Sequence, residues 1–176
     1  MSFHVVKSRL AWLPESKLPK TGRALVIPAN DHLWMISGPG MELKKQLGKE
    51  FELDAVRLGP VEPGEVVASS GAGTGYDHLL HAVVTGQDLQ WQTGVGEKAA
   101  VALLERAVKM KLDELVVHPF YRGTHAARPD AAREMLTGFL RVMERGIPVK
   151  LVQVVVQDND EQRLLQDLFL QLLANA

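Results

Sequence analysis

The sequence predicts an α/β fold with a central mixed sheet between layers of helices. Three observations carry that expectation. ALVIP at 24–28 and ELVVHP at 114–119 are continuous apolar runs, the pattern of strands buried on both faces. Between such runs lie segments with apolar residues at helical spacing. EVVAS at 65–69 and HLLHAVV at 78–84 flank the turn SGAGTGYD, so one pair of strands is joined directly.

The elements follow in order. FHVVKSRLAW at 3–12 reads as a first strand, placed at a sheet edge by its charges. LPESKLPKTG connects it to ALVIP. Residues 41–53 carry Leu43, Leu47 and Phe51 at i, i+4 and i+8 and predict one helix. Residues 97–112 place Val101, Leu104, Val108 and Leu112 on a helical face. Residues 130–145 carry Met135, Phe139 and Val142 with neighbours Leu136, Leu140 and Met143, then stop at Gly146 with Pro148 behind. VKLVQVVV at 149–156 is a strand, and Asp158, Asn159 and Asp160 cap a last helix bearing Leu164, Leu165, Leu168, Phe169 and Leu172.

Composition narrows the function. The 176 residues suit one domain, with 46% apolar and 23% charged residues. A formal charge of −1 gives no electrostatic case for nucleic acid. The absence of cysteine removes disulfides, thiolate metal sites and cysteine nucleophiles. No apolar run reaches the ~18 residues that span a bilayer. The expectation is a soluble cytoplasmic protein with no membrane partner. The histidines show no tight ligand pair, so no metal is expected. His81, inside an apolar strand, is read as a core histidine.

Two loops qualify as ligand sites, because each follows a buried strand and precedes a helix. The first runs from Asn30 to Gly40, and the second is FYRGTHAARPD at 120–130. A helix N-terminus offers unpaired N–H groups and a positive dipole end, and glycine lets an anion approach the backbone. Arg122, His125 and Arg128 make the second loop cationic. GAGTG at 71–75 lacks the Gly-Lys-Ser/Thr ending and no helix follows it, so it is read as a turn between strands.

These pieces resemble the macro domain family, whose members bind ADP-ribose. Val26-Ile27-Pro28-Ala29-Asn30 is similar to the family's V-N-A-A-N, and Ser37-Gly38-Pro39-Gly40-Met41 to its glycine run before a helix. Pro63-Gly64-Glu65-Val66-Val67-Ala68-Ser69 resembles T-G-E-A-V-x-T, and Leu80-His81-Ala82-Val83 resembles I-H-A-V. His118 to Thr124 aligns loosely with the second phosphate loop. The likeness covers about residues 23–172. Departures are plain: Ile27 replaces an Asn, Pro39 interrupts the glycines, and Ala126-Ala127 stand near the point of a second loop-two glycine. No acidic residue in HVVKSRLAWL matches the family's adenine-recognising Asp.

The resemblance implies a three-layer α/β/α macro-domain-like fold and a nucleotide-sugar phosphate ligand, ADP-ribose or a derivative. It implies Asn30 at the distal ribose, with Glu42 or His32 assisting proton transfer if hydrolysis of ADP-ribose-1''-phosphate or ADP-ribosyl esters occurs. It implies Gly38, Pro39, Gly40, Met41, Arg122, Gly123, Thr124 and His125 around the ligand. No cofactor or metal is needed. An ADP-ribosylated protein would be the macromolecular partner, and the oligomeric state stays open. A binding module with a degenerate site and a non-catalytic scaffold are the alternatives. Trp34, Met35 and Ile36 would suit an interface or a lid.

Overall fold

The computed structural model describes residues 9–14, 22–146 and 149–175. Its strands are β1 (Arg9–Pro14), β2 (Gly22–Asn30), β3 (Val66–Ser70), β4 (Tyr76–Thr85), β5 (Glu114–Val117) and β6 (Leu151–Val156). Its helices are α1 (Gly38–Leu47), α2 (Lys49–Val56), α3 (Val95–Lys109), α4 (Arg128–Met143) and α5 (Asn159–Ala174). The strands form one six-stranded sheet in the order β1-β6-β5-β2-β4-β3. All neighbours are parallel except β3 and β4, which are antiparallel around the turn. The sheet is therefore mixed, and β1 is an edge strand. The first part of the expected 3–12 strand, residues 3–8, lies outside the described residues, as does most of the connector.

Alternation along the strands sends side chains to two cores. Val26, Leu80, Leu115 and Val154 face α3, α4 and α5. Leu25, Ile27, Leu79 and Val116 face the α1–α2 side. Apolar residues on both faces make the central strands continuous hydrophobic runs.

Two expectations change. The stripe Leu43, Leu47, Phe51 is not one helix: Gly48 sits at φ 92 and divides α1 from α2. That left-handed backbone is open to glycine and strained for other residues. On α3 the buried face is Ala99, Ala100, Leu103, Leu104 and Ala107, with Val101 and Val108 only half-buried. The cause is close approach to α4. A Cβ on Gly138 would lie 2.5 Å from the Glu97 carbonyl oxygen and 2.6 Å from the Ala100 Cβ. Small residues must face that contact, so the valines move to its rim.

Pro28, which has no N–H to donate, falls beyond the last β5 rung at Val26–Val117. The ladder to β4 then shifts between Ala29 and Asn30. The strand so delivers Asn30 to the carboxyl edge of the sheet. Asp158 caps α5 by accepting from the Glu161 N–H at 2.8 Å.

Candidate ligand-binding cleft

The loop after β2 is built on Asn30. Its side chain is buried, and Oδ1 accepts from the backbone N–H groups of His32 and Trp34 at 3.2 Å each. Nδ2 donates to the Trp34 carbonyl at 2.7 Å. Asn30 thus acts as a local turn-former, the use for which short amides suit turns. Glu52 on α2 fixes the same loop from behind. It is 1% exposed, accepts from the Met35 N–H at 2.8 Å and pairs with Lys44 at 2.8 Å. Met35 is accordingly buried, while Trp34 and Ile36 are exposed.

The two glycine loops meet. Ser37 precedes α1, and its Oγ donates across to the Gly123 carbonyl at 2.6 Å. Gly38 has φ +53, and a Cβ there would lie 2.8 Å from the Arg122 carbonyl oxygen. Gly123 has φ +77, and its Cβ would lie 2.6 Å from the Gly38 nitrogen. Backbone touches backbone at this junction, which only glycine on both sides permits. Gly40 is different: it is buried, with Met35 and Ile27 the nearest atoms to any added Cβ. It seats α1 on the sheet.

A cavity of about 600 Å³ opens beside the junction. One wall is α1, with Gly38, Pro39, Met41, Glu42, Leu43 and Gln46. The opposite wall carries His118, Tyr121, Arg122, Gly123, Thr124 and Arg128, with Gln157 from the loop after β6 and Glu161 from the first turn of α5. Leu25, Thr74 and Tyr76 line it as well.

Arg122 turns into this wall and not toward solvent. Its side chain is 8% exposed, and Nη2 donates to Glu161 Oε2 at 2.8 Å and to the Val155 carbonyl at 3.2 Å. Glu161, also buried, accepts from the Tyr121 hydroxyl at 2.6 Å and from the Gln157 N–H at 2.6 Å. Arg122 Nη1 lies 3.2 Å from His118 Nδ1. Burial, with Arg122 adding to it, pushes His118 down to about 3, so the imidazole is neutral and accepts here. Burial and the Glu161 contact raise Tyr121, which stays protonated. Arg128 lines the cavity as an exposed cation, its guanidinium 5.6 Å from the centroid of the Tyr121 ring.

The remaining expected residues disperse. Glu42 lines the cavity but is exposed and paired with Lys45 at 2.9 Å. His125 is exposed beside the Gln90 side chain at 2.9 Å and does not line the cavity. Asn30 borders a separate hollow of about 20 Å³, enough for about one water. His32 lines neither space. His81 is 1% exposed, meets Ser69 Oγ at 2.7 Å, and is lowered by burial to about 4.

Sequence reasoning missed Glu161, Tyr121, Gln46 and Tyr76. Glu161 had a signal, since it stands three residues after the capping Asp158. Tyr76 follows directly on the glycine turn, which was read as connection only. Among the described residues no group of three or more His, Asp or Glu gathers to hold a metal ion, and no helix is long and apolar enough to cross a membrane.

No protein-family model and no curated protein matches the sequence. Solved structures do. An Oceanobacillus iheyensis macrodomain variant superposes with a TM-score of 0.82 at 19% identity, over 100% of this chain and 98% of that one. The Oceanobacillus iheyensis macrodomain with ADP gives 0.79 at 19% identity, over 100% and 97%. The Trypanosoma brucei macrodomain in complex with ADP-ribose gives 0.73 at 17% identity, over 92% and 68%. The protein is thus a three-layer α/β/α protein with a cleft at the carboxyl edge of a mixed sheet. Its fold is the macrodomain fold.

Proposed function

We propose that this chain binds ADP-ribose or a related nucleotide-sugar phosphate in the cleft between α1 and the loop after β5. The observation that carries this reading is the 600 Å³ cavity, within the usual size of small-molecule sites, with both glycine loops on its walls. Gly38, Pro39 and Met41 stand on one side of the phosphate position, and Gly123, Thr124 and Arg128 on the other. Arg122 shapes that loop from inside through Glu161. Macrodomains of this fold in complexes with ADP and with ADP-ribose support the choice of ligand.

The reading is binding without turnover. Hydrolysis would need Asn30 and either Glu42 or His32 at one water, whereas Asn30 and Glu42 line different spaces and His32 lines neither. The Asn30 amide is engaged by its own loop, and Glu42 by Lys45.

Titration calorimetry with ADP-ribose tests the proposal. Saturable heat and a raised thermal midpoint are expected, and Arg128→Ala should weaken binding roughly 3- to 10-fold. Absence of both heat and midpoint shift for the unaltered chain would sink it. Incubation with an ADP-ribosylated protein should release no ADP-ribose.

A further inference from the structure

The glycine junction divides the space beside α1 in two. Gly38 lines the cavity of about 600 Å³, whereas its neighbour Ser37 lines the hollow of about 20 Å³ beside Asn30. Arg122, Gly123 and Thr124 line both spaces, so the loop after β5 stands between them. The Ser37–Gly123 bond spans the gap. A diphosphate held between the glycine loops ends at this partition. Whatever the ligand carries beyond its second phosphate must either enter the hollow or turn out to solvent.

Three loops close the hollow. Leu33, after β2, and Leu89, after β4, both line it, and both have left-handed backbones, at φ 62 and φ 60. That conformation is strained for a leucine and persists where the surroundings fix it. They fix it here. The Leu33 N–H donates to the Asn30 carbonyl at 2.9 Å. The Leu89 N–H donates to the Gly86 carbonyl at 3.1 Å, and its carbonyl accepts from the His125 N–H at 2.9 Å. The loop after β4 is thereby tied to the loop after β5. Leu33 is buried, and the Asn30 amide is engaged by the His32 and Trp34 backbone. The volume left holds about one water, far less than a sugar ring.

We infer that this chain reads its ligand as a nucleoside diphosphate and leaves the group beyond the second phosphate outside, unread. The inference rests on the ligand class proposed above and narrows it. Leu33, Leu89 and the Ser37–Gly123 bond set where recognition stops. Admitting a sugar would break that bond and displace a buried leucine, while the Asn30 amide is already engaged. Nucleoside diphosphates with different terminal sugars, or with none, therefore bind alike.

Calorimetry with the full chain compares ADP, ADP-ribose, ADP-glucose and AMP. The first three should bind within about 3-fold of one another, and AMP at least about 10-fold more weakly. In NMR spectra the Asn30 side-chain amide and the Leu33 and Leu89 N–H signals should coincide between the ADP and ADP-ribose complexes. Ser37→Ala combined with Leu89→Gly removes the bond and one leucine wall, and glycine adopts that backbone freely. In this double variant ADP-ribose should gain at least about 3-fold on ADP. ADP-ribose tighter than ADP by more than about 3-fold in the unaltered chain overturns the inference. So does a smaller loss for AMP, a shifted Asn30 amide, or an unchanged ratio in the double variant. If ADP-ribose binds and ADP does not, the ADP-ribose reading stands and the inference falls. If ADP binds and ADP-ribose does not, the closed hollow stands and the ADP-ribose reading falls. Binding of neither sinks both.

Discussion

Ser37 Oγ donates to the Gly123 carbonyl at 2.6 Å, joining residues 86 positions apart. The bond crosses from the loop after β2 to the loop after β5, beside the Gly38–Gly123 contact. Ser37→Ala should lower stability by about 1 kcal/mol, the net worth of one such bond. Urea denaturation reads this. Hydrogen exchange should quicken at Gly38 and Gly123 and stay unchanged in β4. Equal exchange at both glycines would mean that the hydroxyl does not hold the loops together.

Asn30→Ala removes the groups that bond His32 and Trp34. The chain should stay folded by circular dichroism and lose about 1 kcal/mol or somewhat more, because part-buried backbone groups of the turn lose their partner. Unchanged denaturant stability would show that the loop needs no side-chain support.

Glu161→Gln should be costlier. It removes the carboxylate that the buried Arg122 guanidinium meets at 2.8 Å and weakens the bond from Tyr121. Breaking one side of a buried pair typically costs about 3–5 kcal/mol. A loss below about 1 kcal/mol in chemical denaturation would refute the account of this wall.

Stability should fall on acidification in a defined window. His81 and His118 are held neutral by burial, with folded values near 4 and near 3 against 6.5 when unfolded. A histidine lowered on folding binds its proton more readily in the unfolded chain. Its cost is absent above about 6.5 and grows as pH falls toward the folded value, by up to about 1.4 kcal/mol per pH unit for each group. Denaturation midpoints between pH 7 and pH 4.5 should therefore decline, and His81→Gln should flatten the slope. An unchanged slope in that variant would place His81 in water.

Much of the architecture was legible because burial on both faces leaves a plain record. ALVIP, ELVVHP and VKLVQVVV have no polar alternation, and each became a central strand. The break at Gly48 was hidden, since the apolar stripe from Leu43 to Phe51 continues through it and a single positive φ leaves no periodic trace. The α3 face was shifted because closeness to α4 at Gly138 is a tertiary fact. The cleft was half legible. Glycines beside helix starts marked its place, but charge alone pointed Arg122 toward a ligand. Its partner lies 39 residues away on α5, beyond the reach of any local pattern. Tyr76 was passed over for a similar reason: an unsatisfied hydroxyl is a property of packing.

The glycine junction has a practical corollary for anyone reshaping this scaffold. A grafted loop that brings any residue other than glycine to the place of Gly38 or Gly123 would drive a side chain into the main chain opposite. The loops after β2 and β5 behave as one part cast in two halves, so a change in one has to respect the other.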